Sequence, residues 1–314
     1  MEEKETQKGV VESTKFKVLK NFVKGRTTLH RTYPQLNGRN IIEAVDDWTK
    51  RWNGYIPAAS PVLDQDQSRI FLNFTRNQTI AYLSNVAVNR PKTKVRAVNK
   101  KTGSNDPKFA DTCNDLLDFS ANEENGDARF LEDSLQGTVE GTVIVYEGYA
   151  KDTQKMRIPI DFDIETGKGR FKTEIKTNFD NCFQRIVPVE DFLIANPYQP
   201  NVQKQPWMIW KEITTYDEAS CEFADYKDWD KVKKGSYEMG NSGDSSFYRS
   251  QISTDLAEDG VEIIRYYEKY DNLHVVMANG VILYEGPIPF KDGRYPFAKG
   301  IFEPFDNKFF WGAG

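Results

Sequence analysis

Two acidic residues, Asp163 and Glu165 in the stretch IDFDIETG at 160–167, have the spacing best suited to chemistry in this chain. Residues i and i+2 of a β-strand point to one face about 6.5 Å apart. The pair could therefore reach two Mg²⁺ ions lying roughly 3.5–4 Å from each other, an arrangement that cleaves phosphodiesters. Hard divalent cations each take about six oxygens, so such a site needs two further carboxylates, and the candidates are Asp180 in NFD, Asp230 in YKDWD and Asp271 in YEKYD. Other site chemistries have less to draw on. His30 and His274 are the only histidines, and Cys113, Cys182 and Cys221 lie far apart with no C-x-x-C signature, which disfavours a zinc cage and a Ser/His/Asp triad.

The elements that would position the pair argue for a plainer role. Ile158, Ile160, Phe162 and Ile164 alternate with Pro159, Asp161, Asp163 and Glu165, and a Thr166–Gly169 turn leads into a second alternating strand from Arg170 to Ile175. Each carboxylate then occupies the polar face of a half-exposed hairpin. The six residues Phe162–Gly167 resemble the opening motif of DnaQ-like 3′-to-5′ exonucleases. However, Asp180 follows Glu165 by only 15 residues, too few for the elements that separate the motifs of that family, and Asp271 lies in a strand-rich meander where a helix is needed. The metal-dependent exonuclease therefore stands as the alternative reading, with Mn²⁺-dependent degradation of single-stranded DNA, lost on Asp163→Ala, as its test.

Over 314 residues the chain is 39% apolar, 13% aromatic and 28% charged, with net charge −5. That is the composition of a folded protein able to bury a core. No apolar run approaches the 18 residues of a membrane span and the N-terminus has no hydrophobic signal core, so no membrane partner is expected. The charge is uneven. Residues 15–31 carry Lys15, Lys17, Lys20, Lys24, Arg26 and Arg31 without an acid, whereas 212–230 carry Glu212, Asp217, Glu218, Glu222, Asp225, Asp228 and Asp230 against Lys227. Lacking periodicity, residues 1–36 read as a flexible basic arm, solvated or in contact with phosphates or an acidic partner.

Residues 37–137 read as helical. Ile41, Val45, Trp48 and Trp52 fall on one face of a helix ending near Asn53-Gly54. A longer helix carries Phe71, Phe74, Gln78, Tyr82 and Asn85 on one face and is stopped by Pro91. The Asp106-Pro107 pair has the order of an N-cap and a first helical proline, and Phe109, Cys113, Leu116 and Leu117 form that helix's buried stripe. Another helix, with Phe130, Leu131 and Leu135, runs into Gly137.

From about 138 to 314 the period changes to two and the chain reads as β-rich. Thr215 and Glu218 form a capping box for an acidic helix at about 215–228, and residues 232–258 read as a Gly/Ser-rich mobile loop. VEIIRYYEKY, LHVVM and VILYEG form a meander, with Asn279-Gly280 as a hairpin turn. The fold class is α+β: a helical N-terminal segment, then an antiparallel β-rich portion.

Read end to end, this succession resembles the N-terminal wing of tailed-bacteriophage portal proteins, of the podovirus-like and crAss-like kind. The carriers are FLNFTRNQTIAYLSNVAVNRPKTKVRA, LQGTVEGTVIVYEGY, VPVEDFLIANP, PWMIWKEITTYDEASCEFADY and the closing passage from VEIIRYYEKY to FFWGAG. The resemblance implies a structural subunit of a ring, a dodecamer at one capsid vertex of the virion, assembled in the host cytoplasm. Double-stranded DNA would pass through it without sequence-specific binding. Implied partners are further copies of the chain, the major capsid protein, the large terminase subunit, which hydrolyses ATP, and head-tail adaptor proteins. The stem, clip and crown would follow Gly314 and are absent here, so no site residue carries over; no catalytic, cofactor-binding or metal-binding residue and no cofactor are expected. Trp207, Trp210, Trp229 and Trp311 are candidate interface anchors, with domain core as the plainer role for each.

Overall fold

The structure is a computed structural model that describes residues 2–54, 73–88, 93–96, 107–123, 125–162, 169–235 and 259–314. In chain order the elements are α1 (Glu2–Leu29), α2 (Ile41–Trp52), α3 (Phe74–Val88), α4 (Pro107–Glu123), α5 (Gly126–Glu140), β1 (Thr142–Phe162), β2 (Gly169–Val187), β3 (Phe192–Ile194), β4 (Trp207–Thr215), α6 (Tyr216–Phe223), β5 (Gly260–Glu268), β6 (Leu273–Ala278), β7 (Val281–Pro287), β8 (Phe297–Ile301), β9 (Glu303–Pro304) and β10 (Gly312–Ala313). Helices come first and sheets follow, so the protein is α+β. No helix among the described residues is long and apolar enough to cross a membrane.

The chain forms two compact units that do not follow its order. The first combines Met1–Val88, Leu131–Val145 and Ile186–Gly314; the second combines Asn89–Phe130 and Tyr146–Arg185. In the first, β3-β4-β5-β6-β7 make a five-stranded antiparallel sheet. The β6–β7 turn is Asn279-Gly280, with φ of 43° and 78°, the left-handed pair that a two-residue hairpin requires. Asn279 also accepts from the Glu262 amide at 2.8 Å and donates to the Lys233 carbonyl at 2.7 Å.

Register assigns the two faces of this sheet, because directly opposed residues share a side. Leu193, Ile209, Tyr266 and Val275 line one face; Phe192, Trp210, Arg265 and Val276 line the other. On the first face lies α1, and here the structure corrects the expectation of a flexible arm. Thr14, Val18, Phe22, Gly25 and Leu29 form a buried helical stripe. The Thr14 hydroxyl donates to Glu285 at 2.9 Å and Asn21 donates to the Tyr266 hydroxyl at 2.9 Å. Gly25 lies so close to the sheet that a Cβ there would be 2.7 Å from the Leu193 Cβ. The stripe escapes periodicity because two of its members are Thr and Gly, while apolar Phe16 and Val23 point the other way.

The second face carries α6, begun by the capping box in which the Glu218 amide donates to Thr215 and the Thr215 amide to Glu218. Its helix stops at Phe223 rather than near 228. Asp228 turns left-handed at φ 69° and the following Trp229 folds back on Phe223 and Tyr216, with centroids 6.3 and 5.1 Å away. Beside it the closing segment delivers Phe297 against Phe192 and Trp210, at 5.0 and 6.4 Å.

Two further helical expectations change. The α4 stripe is not buried: Phe109, Leu116 and Leu117 are exposed and Cys113 is half-buried, Ala110 being the buried residue of that helix. Gly137 does not end α5; it is buried against Val143, and the helix runs on to Glu140, where Gly141 at φ 76° turns the chain. A Cβ on Gly141 would lie 2.4 Å from the Gly312 carbonyl oxygen. On α3, Phe74, Gln78, Tyr82 and Asn85 are all exposed. By contrast α2 buries Ile41 and Val45 as expected, behind an Asn40–Glu43 capping box.

Candidate functional surfaces

Asp163 and Glu165, the pair that opens the nuclease reading, lie outside the described residues, as do the 163–168 turn and most of the Gly/Ser-rich loop. The structure places the other three carboxylates in separate settings. Asp180 accepts from the Tyr149 hydroxyl on the second unit. Asp271, on the turn after β5, is ion-paired with Lys17 of α1 at 2.6 Å. Asp230 sits in the short turn of helix that Trp229 anchors beside α6. Among the described residues no group of three or more His, Cys, Asp or Glu could hold a metal ion.

The four tryptophans proposed as interface anchors are core residues instead. Trp207, Trp210, Trp229 and Trp311 are 2–7% exposed: Trp207 and Trp210 lie on β4 inside the five-stranded sheet, Trp229 packs on Phe223 and Tyr216, and Trp311 packs on Phe310.

Buried charges inside the first unit are paired, whereas His274 Nε2 and Trp311 Nε1 are buried without a hydrogen bond among the described residues. Arg265 donates to Glu212 at 2.5 Å and to Glu222 at 3.0 Å, with its guanidinium 4.3 Å above the Trp210 ring. Burial works against its charge, but Glu222 and Glu212 outweigh it and hold the group above the usual arginine range. Its role is to tie α6 to the sheet. On the opposite face Lys211 and Glu262, both buried, are 3.5 Å apart. His274 stacks on Tyr267 at 4.4 Å, and burial followed by the Arg265 charge lowers its pKa to about 4, leaving it neutral at physiological pH. Burial lowers Lys299 to about 8; its ammonium donates to the Phe310 carbonyl at 2.8 Å over the Phe310 ring.

Glu140, the last residue of α5, accepts from Gln136 at 3.0 Å beside a void of about 10 Å³ lined by Leu36, Ile41 and Val45. Burial pushes its pKa up to about 7, with Glu190 adding to the shift, against hydrogen bonds from Gln136 and the Val189 amide. A second void, near Phe22 and Lys211, is equally small. Each has room for about one water molecule.

What distinguishes the exterior is charge and apolarity. Along the outward side of α1 run Phe16, Lys20, Val23, Lys24 and Thr27, all exposed, followed by Arg31. Across the sheet, α6 and the turn after it present Asp217, Asp225 and Asp230 to solvent. The charge imbalance is visible in the sequence; the helix that turns the basic run into a stripe is not, although Val18, Phe22 and Leu29 are the signal that could have revealed it. Separately, α4 exposes Phe109 (63%), Leu116 (65%) and Phe119 (58%), and α3 exposes Phe74 (66%) and Val88 (84%). No protein-family model matches the chain, and no curated protein sequence matches it.

Proposed function

We propose that the protein is a structural subunit of a phage portal ring, the wing portion of a conduit at the capsid vertex through which the genome is packaged and released. The observation that carries this reading is the apolar face of α4, where Phe109, Leu116 and Phe119 are exposed among the described residues; α3, in the other unit, separately exposes Phe74 and Val88. A chain that works alone rarely leaves large apolar side chains exposed along one helix face, whereas a subunit covers them with neighbours.

A second support is that two phrases of the resemblance, about a hundred residues apart in sequence, pack against each other within the first unit. Phe192 of the VPVEDFLIANP phrase meets Phe297 and Phe310 of the closing passage at 5.0 and 6.3 Å, and the Phe310 amide donates to the Pro197 carbonyl at 2.8 Å. On this reading the chain works by assembly: its partners are its own copies, the capsid, the terminase, which supplies ATP hydrolysis, and tail adaptors, and its place is the virion. The test is the particle formed by the complete reading frame, imaged by electron microscopy. Rotationally symmetric rings with a central hole support the proposal, and uniform monomers or dimers overturn it.

A further inference from the structure

We infer that the outward face of α1 docks on the α6 region of the next copy of the chain, so that subunits join head to tail through complementary charge. This rests on the ring reading above and names the surfaces that would make the ring.

Lys20 and Lys24 lie one turn apart on the side of α1 turned away from the sheet, with Arg31 beyond the helix end. Their neighbours Phe16 and Val23 are 69% and 62% exposed, so the stripe combines apolar area that a partner would cover with positive charge that selects a complementary partner. The α6 helix, which carries no basic residue, offers the complement in the exposed Asp217, with Asp225 just beyond it and the Tyr226 ring, 40% exposed, as an apolar counterpart; Lys227, Lys231, Lys233 and Lys234 are exposed in the turn that follows and bound the acidic surface.

The placement of the two patches decides the symmetry. The α1 helix covers the Leu193–Tyr266 face of the sheet, and α6 covers the Phe192–Arg265 face. Two patches on opposite faces cannot both meet the same neighbour, and a two-fold dimer through α1 would set lysines against lysines. Only a heterologous contact, in which each copy uses its α1 on one neighbour and its α6 on the other, satisfies both; such contacts close into rings when the rotation permits. A polyanion is the less suitable occupant of α1, because the chain as a whole carries net charge −5.

The experiment uses two full-length variants, Lys20→Glu/Lys24→Glu and Asp217→Lys/Asp225→Lys, with particle mass measured across protein concentration and salt. Each variant alone sets like charge against like and should assemble at least about tenfold more weakly than the parent. Mixed in equal amounts they restore complementarity at every junction and should recover parental assembly, which also shows that both are folded. Assembly of the parent should weaken as the screening length falls from about 10 Å at 0.1 M salt to about 3 Å at 1 M. Variants that assemble like the parent, or a mixture that fails to recover, overturn this contact while leaving a ring by other surfaces standing. Loss of binding to a short DNA duplex in the α1 variant, with assembly intact, reassigns the stripe to a polyanion and also overturns it. A parent that stays monomeric throughout overturns the contact and the ring together.

Discussion

Glu140→Gln gives the sharpest test of the packing in the first unit. The Glu140 carboxyl ends α5, where burial and, to a smaller extent, nearby Glu190 oppose ionisation against the hydrogen bonds from Gln136 and the Val189 amide. Its pKa therefore rises from the ordinary 4.5 to about 7 in the folded protein. The folded state holds this proton more tightly than the unfolded chain, so the stabilisation is complete below the unfolded value and is lost as pH rises through about 7. Each pH unit between the two values removes about 1.4 kcal/mol, so the folded state above pH 7 has lost about 3 kcal/mol relative to acid conditions. Glutamine has the shape of the protonated side chain and never ionises. Urea unfolding of the two proteins at matched concentration should give equal stability near pH 4 and a variant more stable by about 3 kcal/mol near pH 8. His274, whose lowered pKa acts with the opposite sign between about 4 and 6.5, contributes equally to both and cancels in the difference. Parallel pH profiles for the two proteins would refute the assignment.

Three other substitutions probe the elements that carry the surfaces. Gly25→Ala gains helix propensity of about 1 kcal/mol, yet its Cβ would meet Leu193 at 2.7 Å; overpacking should outweigh the gain by about 1–2 kcal/mol and lift α1, seen as faster tryptic cleavage at Lys20 and Lys24. A higher melting temperature would show instead that the helix does not lie on the sheet. Arg265→Met keeps the packing on Trp210 but removes the partner of Glu212 and Glu222, which are partly solvated, and should cost about 1–2 kcal/mol; adding Glu212→Gln and Glu222→Gln should return most of it, in thermal or urea unfolding. Asn279→Ala removes two hydrogen bonds and leaves an alanine at φ 43°, for a loss of about 2 kcal/mol by the same measurement.

Local signals in the sequence located the elements whose cause is local. Thr215 with Glu218, Asn279 with Gly280, and the alternation through β5 to β7 are chemistry between near neighbours, and each stands where the pattern puts it. What failed depends on distant partners. A period-3.6 stripe says that a face is apolar, not that this chain covers it, and so Phe109 and Leu116 of α4 are exposed. The buried face of α1 is formed partly by Thr14 and Gly25, which fit because Glu285 and Leu193 approach them from strands more than 160 residues away. Gly137 looks like a helix stop, but a glycine also serves where Val143 packs closely. The opposed charge of 15–31 and 212–230 was legible as composition; that the two lie on opposite faces of one sheet follows only from strand register.

The proposed portal subunit must assemble into a ring. Electron microscopy of the protein expressed from its complete reading frame, with class averages tested for rotational symmetry, addresses it most directly. Closed rings with a central hole and about a dozen subunits, joined by heterologous contacts, are the expected outcome. Uniform monomers or two-fold dimers at every concentration would contradict it.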